Sequence, residues 1–491
     1  MAQKIKSNYI QKSKHKENYS SFKRLVMRVN TKNALINIFL LLLFSYQCLA
    51  EPLHKPRHNR PNIIVIVADD LGWGDTATYG HSVIKTPNID LLAKQGVKFN
   101  QGYAAAGVCS PSRSAILTGR TPYRNGVWRH LSGHSEPTHL RKSEITYPRM
   151  LKQAGYSTAH FGKWHLLSKT QVNNKSFPQP NDHGYDYWFA THNNAWPSHK
   201  NPNNFIRNGV KVGELNGYSA PLVADEAIQW LKHKREPLKP FLMSVWFHEP
   251  HSPIATDIKF SDLYPNETPQ NKKYYGNISQ MDYALGQILK ALDTQDLSDN
   301  TLVIFTSDNG PVVKFGGSSG GLKGYKRYDF EGGIRVPFLV RWPGHVIANT
   351  ESNIPVIGTD IFTTVLNIVG LPTPQDRTID GVNFLPAITG KHLVRKTPLF
   401  WRTHVSPYDN RVALREGDWK IVANDTLSNF KLFNIQEDMK EEIDLAEGMP
   451  EKLAQMKQRL INTWQEISAE GPNQWWESET SKPMPGATLR Y

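Results

Sequence analysis

Apolar residues recur along the first three quarters of the chain in two alternating rhythms. Pro61-Asn62 opens onto Ile63-Ile64-Val65-Ile66-Val67, a β-branched run that is apolar on both faces, as a strand buried in a parallel sheet requires. Residues 240–247 and 301–306 have the same character, and residues 156–161 also read as a strand. Between these runs the spacing changes to a helical one and predicts helices over 88–95, 112–117, 145–154, 220–234 and 275–292, the first announced by Thr86-Pro87-Asn88. Strands alternating with helices predict an α/β fold, a large and mainly parallel sheet flanked by helices.

Past residue 370 the rhythm breaks. Leu371-Pro372-Thr373-Pro374 reads as a linker, and the short segments 397–401, 411–415, 418–423 and 430–435 are separated by turns. They predict a smaller C-terminal domain, an antiparallel sheet followed by a helix over 450–467. The organisation expected is a leader over 1–50, a catalytic α/β domain over 51–375 and a C-terminal subdomain over 376–491, whose last stretch is polar apart from Trp475 and Trp476.

The leader changes how charge is read. Residues 1–33 are basic and polar, an apolar run covers 34–44, and Cys48-Leu49-Ala50 resembles a cleavage site, which together form the pattern of an export signal. The run falls short of the roughly 20 residues of a membrane span. These fifty residues carry nine Lys or Arg and one acid, which leaves about +6 of the chain's +14 for the rest. That excess does not argue for nucleic acid, and it suits an acidic substrate or plain solubility equally. The chain has two cysteines; with Cys48 in the leader, Cys109 stands alone, without a disulfide partner.

In parallel sheets ligands gather beyond the carboxyl ends of the strands. Asp69-Asp70, the His248–His251 segment and Asp308-Asn309 all fall at such ends. Three carboxylates and an amide offer only oxygen, a donor set for Ca2+ or Mg2+ rather than zinc. Cys109-Ser110-Pro111-Ser112-Arg113 precedes a predicted helix, where free N–H groups and the positive end of the dipole favour an oxyanion. The run Gly316 to Gly321 lacks the Gly-Lys-Ser/Thr ending of a phosphate loop and reads as a loop leading Lys323 and Lys326 toward the site.

Cys109-x-Pro111-x-Arg113, continuing into Leu117-Thr118-Gly119-Arg120, resembles the signature of the type I sulfatases of the alkaline phosphatase superfamily. Asp69-Asp70-Leu71-Gly72, Gly162-Lys163-Trp164-His165, Pro250-His251-Ser252-Pro253, Ser307-Asp308-Asn309-Gly310, Glu331-Gly332-Gly333 and Gly417-Asp418-Trp419-Lys420 match in order, from about residue 61 to 445. The resemblance implies an exported, periplasmic or secreted sulfuric ester hydrolase. Its nucleophile would be formylglycine (3-oxoalanine) made from Cys109 by a maturation enzyme, used as the hydrated geminal diol. One Ca2+ per chain would be held by Asp69, Asp70, Asp308, Asn309 and the modified Cys109. By the same resemblance Arg113 orders the modified residue, Lys163 and Lys326 hold sulfate oxygens, with Lys323 the competing candidate, His165 contacts the diol, and His251 holds the ester or protonates the leaving oxygen. His248 lines the pocket, and Asn193 or Asn194 fills a further sulfate-binding position. Trp128, Arg129, His130, Trp196 and His199 form a basic, aromatic pocket region that fits a sulfated carbohydrate, with no nucleic acid and no stable membrane span expected. A phosphonate or phosphate ester hydrolase of the same superfamily is the alternative, and a non-catalytic binder or a redox thiol are further ones.

Overall fold

The computed structural model describes residues 60–131, 139–168, 174, 176–391, 393–404, 406 and 410–470. The leader with its apolar run and Cys48, and the tail with Trp475 and Trp476, lie outside the described residues. The described chain from Arg60 onward forms one compact unit.

Its centre is a ten-stranded sheet. The principal strands are β1 (Asn62–Asp69), β2 (Ser157–Lys163), β3 (Tyr187–Thr191), β4 (Phe241–Pro250), β5 (Thr301–Ser307) and β6 (Phe338–Arg341). Across the sheet they run β6-β5-β1-β4-β2-β3, with short strands completing both edges. The five from β5 to β3 are mutually parallel, whereas β6 is antiparallel to β5. The main helices are α1 (Pro87–Lys94), α2 (Cys109–Thr118), α3 (Tyr147–Gln153), α4 (Ser219–His233), α5 (Pro269–Asp293), α6 (Asp360–Ile368) and α7 (Pro450–Glu470).

The unbroken apolar run of β1 is explained by its two faces. Ile64 and Ile66 belong to a core with Trp230 of α4 and Leu285 of α5, while Ile63, Val65 and Val67 belong to a second core with Leu117 of α2 and Phe362 of α6. Both faces are covered, so no position is left for a polar residue. Each fully buried aliphatic side chain contributes about 1.5–3 kcal/mol.

The predicted α/β architecture is observed, with shifted ends. The helix expected over 112–117 starts at Cys109, and the one expected from 275 starts at Pro269, behind Thr268, whose hydroxyl accepts from the Asn271 N–H. The strand expected over 156–161 continues to Lys163, so this lysine ends the strand rather than following it. The sequence reading did not anticipate β6 and α6, which lack a flanking signal strong enough to mark them.

The C-terminal sheet is antiparallel, β7 (Leu399–Arg402), β8 (Val412–Glu416), β9 (Trp419–Ala423) and β10 (Phe430–Asn434) in sequential order. Its side chains alternate as the pleat demands. Trp401, Ala413, Val422 and Phe433 face Tyr103 and Ala115 of the α/β body, whereas Phe400, Leu414, Ile421 and Leu432 face Met456 and Leu460 of α7.

A buried ion cluster joins this sheet to the body. Lys420 on β9 places Nζ 2.9 Å from Glu331 Oε1 and 2.9 Å from Glu441 Oε1, with no exposure on any of the three side chains. Arg335 Nε lies 2.7 Å from Glu331 Oε2, which also accepts from the Tyr103 hydroxyl at 2.8 Å. The same cluster anchors the segment that carries Lys326, because Glu331 N–H donates to Glu441 Oε2 at 2.7 Å and Lys323 Nζ donates to Glu441 O at 2.8 Å. Among the described residues no helix is long and apolar enough to cross a membrane.

Replacing Lys420 by Met should leave two buried carboxylates facing each other and destabilise the fold by about 3–5 kcal/mol. Equilibrium denaturation of the variant measures this, and a loss below about 1 kcal/mol would show that the cluster is not stabilised by that charge.

Candidate active site

β1 and β5 are in register, with Ala68 opposite Ser307, so the acids that follow them meet. Asp69 ends β1. Asp70 turns away with φ of 66° and its N–H donates to Asp308 Oδ1 at 3.2 Å, while Asp308 N–H donates to Ala68 O at 3.2 Å. A left-handed conformation at a non-glycine residue is costly and recurs at functional sites. All three carboxylates are buried.

Three cations from separate elements meet them. Lys163 Nζ at the end of β2 lies 2.6 Å from Asp69 Oδ2. Gly162 makes that approach possible: its φ is 101°, and a Cβ there would stand 1.9 Å from the Trp246 carbonyl oxygen of β4. Arg113, one turn into α2, places Nη2 2.7 Å and Nε 2.8 Å from Asp308 Oδ2, and its Nη1 donates to Lys163 O at 2.9 Å. Lys326 Nζ lies 2.6 Å from Asp70 Oδ1 and 3.4 Å from Cys109 Sγ. Lys323, the competing lysine, is directed to Glu441 O and to the Phe330 and Phe433 rings.

Cys109 occupies the first turn of α2, with Sγ 3.5 Å from Asp69 Oδ1 and 4.0 Å from Asp70 Oδ1. Burial pushes its thiol up to about 12, against the pull of Lys163 and Lys326. As cysteine it is therefore a protonated thiol, neither a good nucleophile nor a good ligand. Burial would also raise Asp70, but His251, Lys326 and Lys163 outweigh it and hold this carboxyl well below the usual range. Burial and the Asp69 charge raise Asp308 to about 6, against the pull of Arg113. Lys326 is raised, since Asp70 more than offsets the effect of its burial.

Hydrogen-bond partners set the tautomers of the histidines. His165, with φ of 56°, faces the Leu131 carbonyl through Nε2 at 2.9 Å. A carbonyl only accepts, so Nε2 carries the proton and Nδ1 presents a lone pair; Nδ1 is buried and has no partner among the described residues. One donor atom each from His165, His130 and Cys109 lies within 4.8 Å of the others. His251 donates Nδ1–H to the Ser252 carbonyl and turns Nε2 toward Asp70 Oδ2 at 3.5 Å. Burial lowers His251 to about 3, so Nε2 carries a lone pair in this state. Thr191 donates its hydroxyl to Asn193 O at 2.8 Å and accepts from His248 Nε2 at 2.7 Å, which leaves His248 Nδ1 bare.

The donor set fits a hard cation. Asn309 donates Nδ2–H to Asp70 Oδ1 at 2.7 Å and to Gly310 O at 2.9 Å, yet its Oδ1 is buried without a hydrogen-bond partner. An orphaned amide oxygen beside three buried carboxylates is an acceptor set that a cation satisfies. Asp69, Asp70, Cys109 and His251 also bring one donor atom each within 4.8 Å of one another.

The remaining sequence candidates divide. His130 adjoins the centre, its ring 4.8 Å from that of His165. Trp128 and Arg129 precede it on the same segment. His199 is buried 3.7 Å from Glu249 Oε1, and Trp196 is largely exposed. Asn193 and Asn194 both leave a side-chain oxygen buried without a hydrogen bond, and the geometry does not choose between them. Trp128 in turn adjoins the C-terminal sheet region: its ring lies 4.7 Å from that of His404, on which the charge of Arg411 acts. No local pattern marks a contact between residues so far apart in the chain.

Comparison with known proteins agrees with this geometry. Residues 61–371 match the family model described as sulfatase, and residues 323–467 match that of the N-sulphoglucosamine sulphohydrolase C-terminal region. The chain is 33% identical over 388 residues to the N-acetylgalactosamine-6-sulfatase of Canis lupus familiaris, covering 73% of this chain and 71% of that one. It is 31% identical over 436 residues to the steryl-sulfatase of Homo sapiens, covering 72% and 73%. Among solved structures, Ps i-CgsB in complex with k-i-k-neocarrahexaose superposes with a TM-score of 0.77 at 27% identity, covering 88% of this chain and all of that one. The PsFucS1 sulfatase from Pseudoalteromonas sp. superposes with a TM-score of 0.70 at 25% identity, covering 84% and 91%. With a family match over most of its length and relatives above 30% identity, this chain belongs to the sulfatase family, the sulfuric ester hydrolases.

Proposed function

We propose that the protein is an exported sulfatase that removes sulfate from a sulfated carbohydrate, with formylglycine derived from Cys109 and a calcium ion at its centre. One observation carries this reading: the Cys109 side chain lies within 4.0 Å of Asp69, Asp70 and Lys326 at once. Only a group that meets both a cation site and an anion-binding lysine has use for that position.

The buried thiol, held protonated, is unsuited to the task, which supports its conversion. Formylglycine, when formed and hydrated, supplies one hydroxyl to attack sulfur and a second whose deprotonation releases sulfate. Calcium would be held by Asp69, Asp70, Asp308 and Asn309 and would supply polarisation and neutralise charge.

The chain's own groups do the rest. Arg113 fixes Asp308 through two contacts and ties α2 to the end of β2 through the Lys163 carbonyl. Lys163 and Lys326, now drawn onto Asp69 and Asp70, turn to the sulfate oxygens once a cation shares those carboxylates. His165 accepts a proton at Nδ1, the nitrogen left bare by its bond to Leu131 O. His251 receives the ester at Nε2, and the charge of the anionic substrate favours the protonation that lets Nε2 donate to the leaving oxygen. The carbohydrate reading is supported by relatives named for N-acetylgalactosamine-6-sulfate and by the structural neighbour solved with a neocarrahexaose. The leader pattern supports export.

Hydrolysis of an aryl sulfate, compared with an aryl phosphonate, tests the reaction class; a preference for the phosphonate would overturn it. Cys109→Ala should abolish turnover while the circular dichroism spectrum stays native, and mass spectrometry of the peptide holding residue 109 should find the aldehyde in place of the thiol. A chelator should lower both activity and melting temperature; calcium should restore both and zinc neither. Lys326→Ala should reduce kcat/KM on the order of 10²-fold, the loss typical of one donor aimed at developing charge.

A further inference from the structure

Beside the nucleophile the fold builds a second polar surface that the reaction does not use. From Cys109 it runs through His130 to Arg129 and Trp128, consecutive residues of one segment. The Arg129 guanidinium lies 5.8 Å from the centre of the Trp128 ring. Tyr123 stacks on the same ring at 5.3 Å and 17°, and the His404 ring of the C-terminal sheet region stands 4.7 Å away at an interplanar angle of 84°. His404 follows β7 and Arg411 precedes β8, and the two strand ends are paired by Thr403 N–H donating to Arg411 O at 2.9 Å.

Arg411 is the unusual member. It is half-buried, its Nε is shielded from solvent without a hydrogen-bond partner, and no described carboxylate pairs with it. Its neighbour Arg402 is paired, with Asp425 at 2.7 Å, and stacks on Trp464 at 4.0 Å. Arg129 and Arg411 both act on the His404 ring and, with burial the larger effect, lower it to about 4, so His404 is a neutral donor there. Partly withdrawing an arginine from solvent without a paired anion costs free energy that a bound anion would offset. The guanidinium fork suits the planar or tetrahedral oxygens of a carboxylate or sulfate.

We propose that Arg411 and His404 form a subsite for a second anionic group of the substrate, carried on a sugar unit next to the one that bears the scissile sulfate. This rests on the carbohydrate sulfatase reading and narrows it: the substrate is a polyanionic oligosaccharide, held at its second charge by the C-terminal domain. A monosulfated sugar would leave Arg411 without a ligand.

The test is calorimetric binding of sucrose octasulfate, trigalacturonate and inorganic sulfate to the full protein. Wild type should bind octasulfate more tightly than inorganic sulfate. Arg411→Ala should weaken octasulfate about tenfold, the loss expected for one charge-assisted hydrogen-bonded contact, and inorganic sulfate by less than twofold. Arg411→Lys, which keeps the charge but loses the fork, should fall between wild type and Arg411→Ala, and Arg459→Ala, a change at an exposed pair with Glu416, should match wild type. Trigalacturonate binding that depends equally on Arg411 would assign the second group as a carboxylate; octasulfate binding alone assigns it as sulfate. Octasulfate affinity unchanged in Arg411→Ala, or no tighter than that of inorganic sulfate in wild type, overturns the subsite. Turnover of 4-nitrophenyl sulfate, measured alongside, keeps the two readings apart: its absence sinks the reaction, not the subsite.

Discussion

Three carboxylates buried at the ends of two adjacent strands cannot stand alone, and the arrangement around them follows from that. Asp69, Asp70 and Asp308 are all but inaccessible to solvent. Removing a carboxylate from water without a partner is prohibitive. The fold brings each a cation from a different place: Lys163 from the end of β2, Arg113 from α2, Lys326 from the segment before Glu331. Charge is thereby balanced without any ion. A divalent cation added to this set leaves an excess of positive charge, and an anionic ester is its natural complement. The electrostatics that permit burial are the same ones that select the substrate's sign.

The C-terminal sheet takes part in this balance. Lys420 neutralises Glu331 and Glu441, and Glu441 in turn fixes both ends of the segment that delivers Lys326. The antiparallel sheet is thus bound to the active site through charge as well as through the apolar contact of Trp401 and Phe433 with Tyr103 and Ala115. Its β7–β8 end places His404 beside Trp128, with Arg411 next to His404 across the paired strand ends.

Backbone carbonyls decide the acid–base character of the site. Leu131 O leaves His165 Nδ1 as the free base, and Ser252 O turns the bare Nε2 of His251 toward Asp70. The side chains are ordinary histidines; their distinct roles come from which nitrogen a loop carbonyl has already engaged.

The chain alone determined a good deal. Runs apolar on both faces specify a covered parallel sheet, because only such a sheet hides every side chain of β1, and the acids just beyond those runs had to fall at its carboxyl edge. The motif around Cys109 named the reaction class through its resemblance to the sulfatase signature. Tertiary structure alone decided the rest. Resemblance alone favours Lys326 over Lys323, and it is the fold that directs Lys323 to Glu441 O and the Phe330 and Phe433 rings and Lys326 to Asp70. The tautomers of His165 and His251, the unpartnered oxygen of Asn309 and the approach of Arg411 to His404 depend on atoms distant in sequence, whose distances no local pattern encodes.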